Sequence, residues 1–117
     1  MQAQASFTPQ WHDVCHINDL VTNSGVCALV EDQQVALFLT EADDGRHIFA
    51  ISNWDPVGQA NVLYRGIIGS LNTDIVVASP LYKEHYVLET GKCVEREDVS
   101  VTVYPVRVDN QRVLVQA

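Results

Sequence analysis

Positive charge is scarce in this chain. Seven Lys and Arg stand against fifteen Asp and Glu, for a formal net charge of −8 and a pI near 4.7. So acidic a surface repels phosphate backbones and anionic headgroups, which argues against nucleic acid and membrane partners. Cysteine is scarce as well: Cys15, Cys27 and Cys93 are odd in number and lack Cys-x-x-Cys spacing. That pattern reads as reduced, packed thiols of a cytoplasmic protein. No apolar run approaches the length of a membrane span, and residues 1–10 lack the basic start and apolar stretch of a signal peptide. The six glycines are scattered, with neither Gly-x-Gly-x-x-Gly nor a Walker pattern, so a Rossmann-type NADH site is not expected on this chain. Ser70 and Ser79 sit outside any Gly-x-Ser-x-Gly elbow.

Helix signals are nearly absent too. Residues 17–20 and 61–65 each suggest a single turn and no more. What fills the chain is strand after strand. Residues 25–30 and 34–39 flank Glu31-Asp32-Gln33 and read as a hairpin. Residues 46–52 and 74–78 are β-rich runs, each leading straight into a Pro-containing loop. Residues 83–88 follow, then a Thr90-Gly91 turn. Residues 99–104 alternate branched and polar side chains with period two. Residues 106–108 and 112–115, joined at Asp109-Asn110-Gln111, form a closing hairpin. At 117 residues and 47% hydrophobic, the chain suits one domain with one core. The expectation is an all-β antiparallel sandwich or barrel of about ten short strands over 11–117, with 1–10 flexible.

The two loops carry the most information. The first reads Asn53-Trp54-Asp55-Pro56-Val57, the second Ser79-Pro80-Leu81-Tyr82, and Tyr86-Val87-Leu88-Glu89-Thr90-Gly91 comes next. In order and spacing they resemble the frame of a Rieske iron–sulfur domain. There the loops read Cys-Pro-His and Cys-Pro-x-His, before a Phe-x-Leu-x-Thr-Gly hairpin. The resemblance covers most of the chain, through Trp11-x-x-Val14, Asn18-Asp19-Leu20, Gly25-Val26 and residues 62–69. It implies a Rieske-like fold in which Asp55, Val57, Ser79 and Tyr82 occupy the four ligand positions.

None of the four suits that role. A Rieske cluster takes two thiolates and two imidazoles. Valine has no lone pair, and Asp55, Ser79 and Tyr82 offer only oxygens, which favour hard cations. No cofactor or metal is therefore expected on this chain. Packing would have to hold the loops, with Pro56 and Pro80 each fixing one dihedral and Trp54 and Tyr82 large enough to fill vacated space. Trp54, Val57, Leu81 and Tyr82 would otherwise present apolar and aromatic groups to a partner. Both orientations, inward and outward, stay open at this point.

Ligand loss in a short acidic chain of this frame is most similar to one subgroup, the small subunits of assimilatory NAD(P)H-dependent nitrite reductase. That similarity implies an accessory, non-catalytic role beside a large subunit. The large subunit would carry FAD, an iron–sulfur cluster and siroheme, and would reduce nitrite to ammonium. Two alternatives are a Rieske-type ferredoxin with substituted ligands and a stand-alone interaction domain.

Other candidate sites are weaker. His12, Cys15 and His16 are of zinc-ligand type, but simple alternation puts 12 and 16 on one strand face and 15 on the other. His85 lies too far from Ser79 for the Rieske spacing, and Lys83 and Glu84 beside it read as solvated. Asp43 and Asp44 near Glu41 read as a hydrated hairpin tip rather than a calcium loop.

Overall fold

The computed structural model describes residues 10–42, 45–81 and 83–117. Their strands are β1 (Trp11–His16), β2 (Ser24–Val30), β3 (Gln33–Ala42), β4 (Gly45–Ser52), β5 (Trp54–Asp55) and β6 (Ala60–Asn61). Then come β7 (Ile67–Leu71), β8 (Asp74–Ala78), β9 (His85–Val87), β10 (Val103–Tyr104), β11 (Val106–Asp109) and β12 (Arg112–Gln116). Two 3-10 turns, Ile17–Asp19 and Leu63–Arg65, fall where the sequence suggests single helical turns. The all-β expectation holds. The expected flexible segment, 1–10, lies outside the described residues except for Gln10, whose N–H and C=O both bond to Ala117 at 3.1 Å.

The strands form antiparallel sheets in the orders β10–β4–β3–β2, β1–β12–β11 and β7–β8–β9, with the short pair β5–β6. β3 sets the layering. Side chains alternate faces along a strand, and residues 35–39 are all apolar and at most 3% exposed. A strand of that kind is buried on both faces. Val35, Leu37 and Leu39 pack with Val113 and Val115 of β12. Ala36 and Phe38 point the other way and pack with Leu63, Val77, Tyr86 and Leu88. The β2–β3–β4 sheet is thus the middle layer between two outer ones. Each fully buried side chain of this kind contributes about 1.5–3 kcal/mol.

Turns follow local chemistry. Glu31 and Asp32 between β2 and β3 have φ of 50° and 67°, and Asn110 and Gln111 between β11 and β12 have 52° and 66°. Two successive left-handed residues match the right-handed twist of a hairpin. Gly91 has φ +82°, and a Cβ there would collide with the Val101 carbonyl oxygen. Only glycine meets both demands.

Two segments depart from the sequence reading. Of residues 99–104, only 103–104 join a sheet. The rest crosses between layers: Ser100 makes an isolated bridge to Lys92, with Val101 N–H donating to Gly91 O (2.8 Å) and Cys93 N–H to Val99 O (3.1 Å), and Thr102 O accepts from Ser52 N–H (2.8 Å). Conversely, 67–71 forms a strand that the sequence does not signal. Its Gly69 and Ser70 break the apolar pattern, and Ile67 is 75% exposed.

Candidate functional site

The two Pro loops are built alike. In the first, Asp55 O accepts from Gln59 N–H at 2.6 Å; in the second, Ser79 O accepts from Lys83 N–H at 3.2 Å. Each loop therefore closes a turn on the residue four positions on. Each also ends on a left-handed non-glycine residue, Gln59 at φ 56° and Lys83 at φ 66°. The leading residues of these twin turns, Asp55 and Ser79, are the two that the Rieske resemblance sets at thiolate positions.

Here the pair bond to each other. The Ser79 hydroxyl donates to Asp55 Oδ2 through a short hydrogen bond. The Tyr86 hydroxyl donates to Asp55 Oδ1 at 2.9 Å, and the N–H groups of Val57 and Gly58 donate to the same oxygen at 3.0 and 3.1 Å. Ser79 Oγ in turn accepts from the Leu81 N–H at 3.2 Å. Asp55 is 0% exposed, Ser79 2% and Tyr86 0%. A lone buried carboxylate is costly, but four donors make this one sustainable. Burial raises the Asp55 pKa, yet the bonds from Ser79, Gly58, Tyr86 and Val57 outweigh it and leave the carboxyl below its ordinary value. Tyr86 shifts the opposite way. Burial first, then its bond to Asp55, push the phenol far above its ordinary range.

Gly58 permits this closure. A Cβ there would lie 3.0 Å from Asp55 Oδ2 and press into the Leu81 side chain. Asn53, just ahead, fixes the start of the loop. Its Oδ1 accepts from Tyr64 N–H at 2.8 Å, its Nδ2 donates to Gln34 Oε1 at 3.1 Å, and its own N–H donates to Gln34 O at 2.9 Å. Sequence reading passes over Asn53 as a turn former. Its full burial leaves no mark in the local pattern. Tyr86 is read as the start of the hairpin where the Rieske frame has Phe, but its hydroxyl is given no role there, although it is the visible difference.

Among the expected site residues, Asp55 and Ser79 meet, and Val57 contributes its backbone N–H while its side chain is half-buried. Tyr82 lies outside the described residues. Trp54 is 44% and Leu81 46% exposed. Between the loops, Asp55 bonds to Ser79 and to Tyr86.

A [2Fe–2S] centre does not fit these residues. Asp55 already accepts four hydrogen bonds, Ser79 is tied to it, and Val57 has no donor atom. Nor is Ser79 placed as a nucleophile, since it is sealed from solvent against a carboxylate.

The weaker candidates are also placed. β1 has a bulge between Asp13 and Cys15, so Cys15 pairs Val113, His12 pairs Val115 and His16 pairs Arg112. Cross-strand partners share a face, so Cys15 sides with His12 and not, as alternation implies, opposite both histidines. The extra residue reverses the parity. His16 is a cap: its Nδ1 accepts from Asn18 N–H and its own N–H donates to Asp19 Oδ2, both at 3.0 Å. His85 pairs with Glu95 (Nδ1–Oε2 2.6 Å), which also accepts the His85 N–H at 2.8 Å. Glu84 is not solvated; its side chain is 12% exposed and meets Arg96 at 3.3 Å. Asp43 and Asp44 lie outside the described residues. Among the described residues, no three His, Cys, Asp or Glu converge as a metal site, and no helix is long and apolar enough to cross a membrane.

Comparison with known proteins places this geometry. The model of the Rieske-like [2Fe-2S] domain matches residues 10–116. The nitrite reductase (NADH) small subunit of Escherichia coli K12 is 46% identical over 99 residues, which is 85% of this chain and 90% of that protein. The NMR structure of the E. coli protein NirD superposes with a TM-score of 0.83 at 41% identity, covering 94% of this chain and 98% of that one. A nitrite reductase [NAD(P)H] large subunit from Klebsiella oxytoca is 32% identical over 105 residues, 90% of this chain but only 11% of that protein. The layered strands and these likenesses agree: the chain belongs to the Rieske-like domain family and, within it, to the nitrite reductase (NADH) small subunits.

Proposed function

We propose that this chain is a cluster-free accessory subunit that docks on the large subunit of a cytoplasmic NADH-dependent nitrite reductase. The large subunit carries the FAD, iron–sulfur cluster and siroheme that take electrons from NADH and reduce nitrite to ammonium. The docking surface is the apolar tip around Trp54, Val57 and Leu81, with Tyr82 assigned to it from its place in the sequence. The observation that carries the reading is the Asp55–Ser79 bond: the two loops are clasped by hydrogen bonds where a Rieske domain uses metal, while Trp54 and Leu81 face outward.

A second observation supports the choice of partner. In the Klebsiella protein a segment like this chain lies within the large subunit itself. Covalent joining keeps a domain at high effective concentration beside the rest of the protein, which suits a domain whose work is done on that surface.

The test has two parts. Chain purified anaerobically is assayed for iron, acid-labile sulfide and visible absorption, and is expected to be colourless and iron-free. It is then mixed with the large subunit, and nitrite-dependent NADH oxidation is followed with and without it. A stoichiometric iron–sulfide signal from folded protein overturns the cluster-free reading. Absence of any complex overturns the accessory one.

A further inference from the structure

Edge strands are normally protected by charge, proline, bulges or a covering element. β2, at the edge of the largest sheet, lies under the Leu63–Arg65 turn, and β11 carries Arg107 and Asp109. β7 has none of these devices. Its sequence Ile67-Ile68-Gly69-Ser70-Leu71 lacks charge and proline, its register with β8 runs unbroken from Ile67↔Ala78 to Leu71↔Asp74, and among the described residues only β8 pairs with it. Ile67 is 75% and Leu71 36% exposed, and period two puts them on one face. Alternate residues of the strand thus turn unpaired backbone groups outward beside two uncovered apolar side chains.

The opposite face of the strand borders a groove of about 760 Å³ between the β7–β8–β9 and β2–β3–β4 sheets. Glu41, Asp74 and Glu89 line it together with His47 and Phe49, and among the described residues no Lys or Arg does. The edge offers main-chain pairing and the groove beside it selects for positive charge.

We infer that β7 and this groove receive an extended segment of the large subunit, which adds as a strand to β7 and reaches Lys or Arg side chains into the groove. Strand addition takes affinity from backbone bonds and specificity from alternate side-chain pockets. Charge chooses among the possible occupants. A second copy of this chain would bring another −8 and another acidic groove, and residues 1–9 contain no Lys or Arg. A basic segment of the partner meets no such repulsion. This docking site is separate from the Trp54–Leu81 tip and rests on the accessory reading for the identity of its partner.

The experiment is a calorimetric titration of the large subunit with wild-type chain, Ile67→Lys and Glu89→Lys, at low and high salt. Both positions are exposed, and circular dichroism checks each variant for folding. Each variant is expected to weaken binding about tenfold or more, or 1.4 kcal/mol, and Glu89→Lys should also flatten the salt dependence. Hydrogen exchange of amides 67–71 should slow in the wild-type complex. Wild-type affinity in both variants with unchanged exchange at 67–71 overturns the inference alone. No binding by wild-type chain overturns the accessory reading, and this inference with it.

Discussion

Ser79 donates its hydroxyl proton to Asp55 across 24 residues of chain, and that single bond joins the two loops. The pair is buried, so removing either member leaves the other group unsatisfied. A buried polar atom stripped of its partner costs about 1–3 kcal/mol. Ser79→Ala leaves three donors on Asp55 and is expected to lower unfolding free energy by about 1–2 kcal/mol. Asp55→Leu orphans Ser79, Tyr86 and two backbone N–H groups, each at about 1–3 kcal/mol, and should cost more than Ser79→Ala. Urea denaturation of both variants checks the ranking. Equal, small effects would show that the bond does not hold the loops.

The charge on Asp55 gives that clasp a pH dependence with a defined sign. Its folded pKa lies below the ordinary value because hydrogen bonds to the ionised form outweigh burial. A depressed carboxylate contributes stability in full above its unfolded pKa, about 3.9, and loses it as pH falls through the folded pKa. The wild-type chain should therefore lose stability on acidification below about pH 4. Asp55→Asn, already weaker at neutral pH, should show a shallower acid slope. Thermal midpoints taken from neutral to strongly acidic buffer measure it, and parallel curves for the two proteins would refute it.

Tyr86 supplies the mirror image. Burial and the bond to Asp55 raise its phenol far above the ordinary value. A raised pKa means that stability is complete below the unfolded value, about 10, and falls as pH climbs toward the folded one. Tyr86→Phe removes both the hydroxyl and its titration. It should cost about 1–2 kcal/mol at neutral pH and reduce the alkaline loss of stability above about pH 10. Denaturant titrations at neutral and alkaline pH read both effects, and an alkaline loss equal to that of wild type would exclude Tyr86 as its source.

The repeated β pattern makes most strands and both single turns legible in the sequence. The Pro loops, read as one frame, single out Asp55 and Ser79, and the fold brings the two together. What escapes reading depends on long-range partners. β7 is hidden because neither of its faces is well covered: of its five residues only Ile68 is half-buried, so Gly69 and Ser70 are tolerated. Alternation assigns Cys15 to the wrong face because a bulge is a property of strand pairing, not of six residues taken alone. Asn53 is invisible for a related reason: its partners Cys27, Gln34 and Tyr64 lie 11 to 26 residues away. Glu84 looks solvated locally, but Arg96 arrives from a later loop to pair with it, as Glu95 does with His85.

Gly91 tests the backbone rather than the side chains. It is left-handed at φ +82°, and a methyl group there would strike the Val101 carbonyl oxygen. That carbonyl belongs to the strap crossing between layers, whose Val101 N–H donates to Gly91 O. Gly91→Ala therefore strains a dihedral and opens the crossing together. Strain of this kind costs about 1–3 kcal/mol, and the crossing adds to it. The measurement is a thermal melt, with a midpoint several degrees below wild type expected. A Gly91→Ala protein as stable as wild type would show that the strap can shift freely.

Trp54 separates docking from folding. It is 44% exposed, and its backbone N–H donates to the Ser52 hydroxyl oxygen at 3.1 Å, a bond that survives truncation of the indole. Trp54→Ala should consequently leave stability within about 0.5 kcal/mol of wild type, as for other surface substitutions. An exposed tryptophan at an interface centre is a frequent anchor, and its loss there costs about 2 kcal/mol or more of binding. The expected result is a folded chain with a wild-type melt and a weaker hold on the large subunit. Leu81→Ala should act in the same direction, since its side chain lies over Gly58 at the neighbouring loop and is 46% exposed. A variant that melts early but binds normally would place Trp54 in the loop's packing instead. One that changes neither property would move the docking surface elsewhere on the molecule.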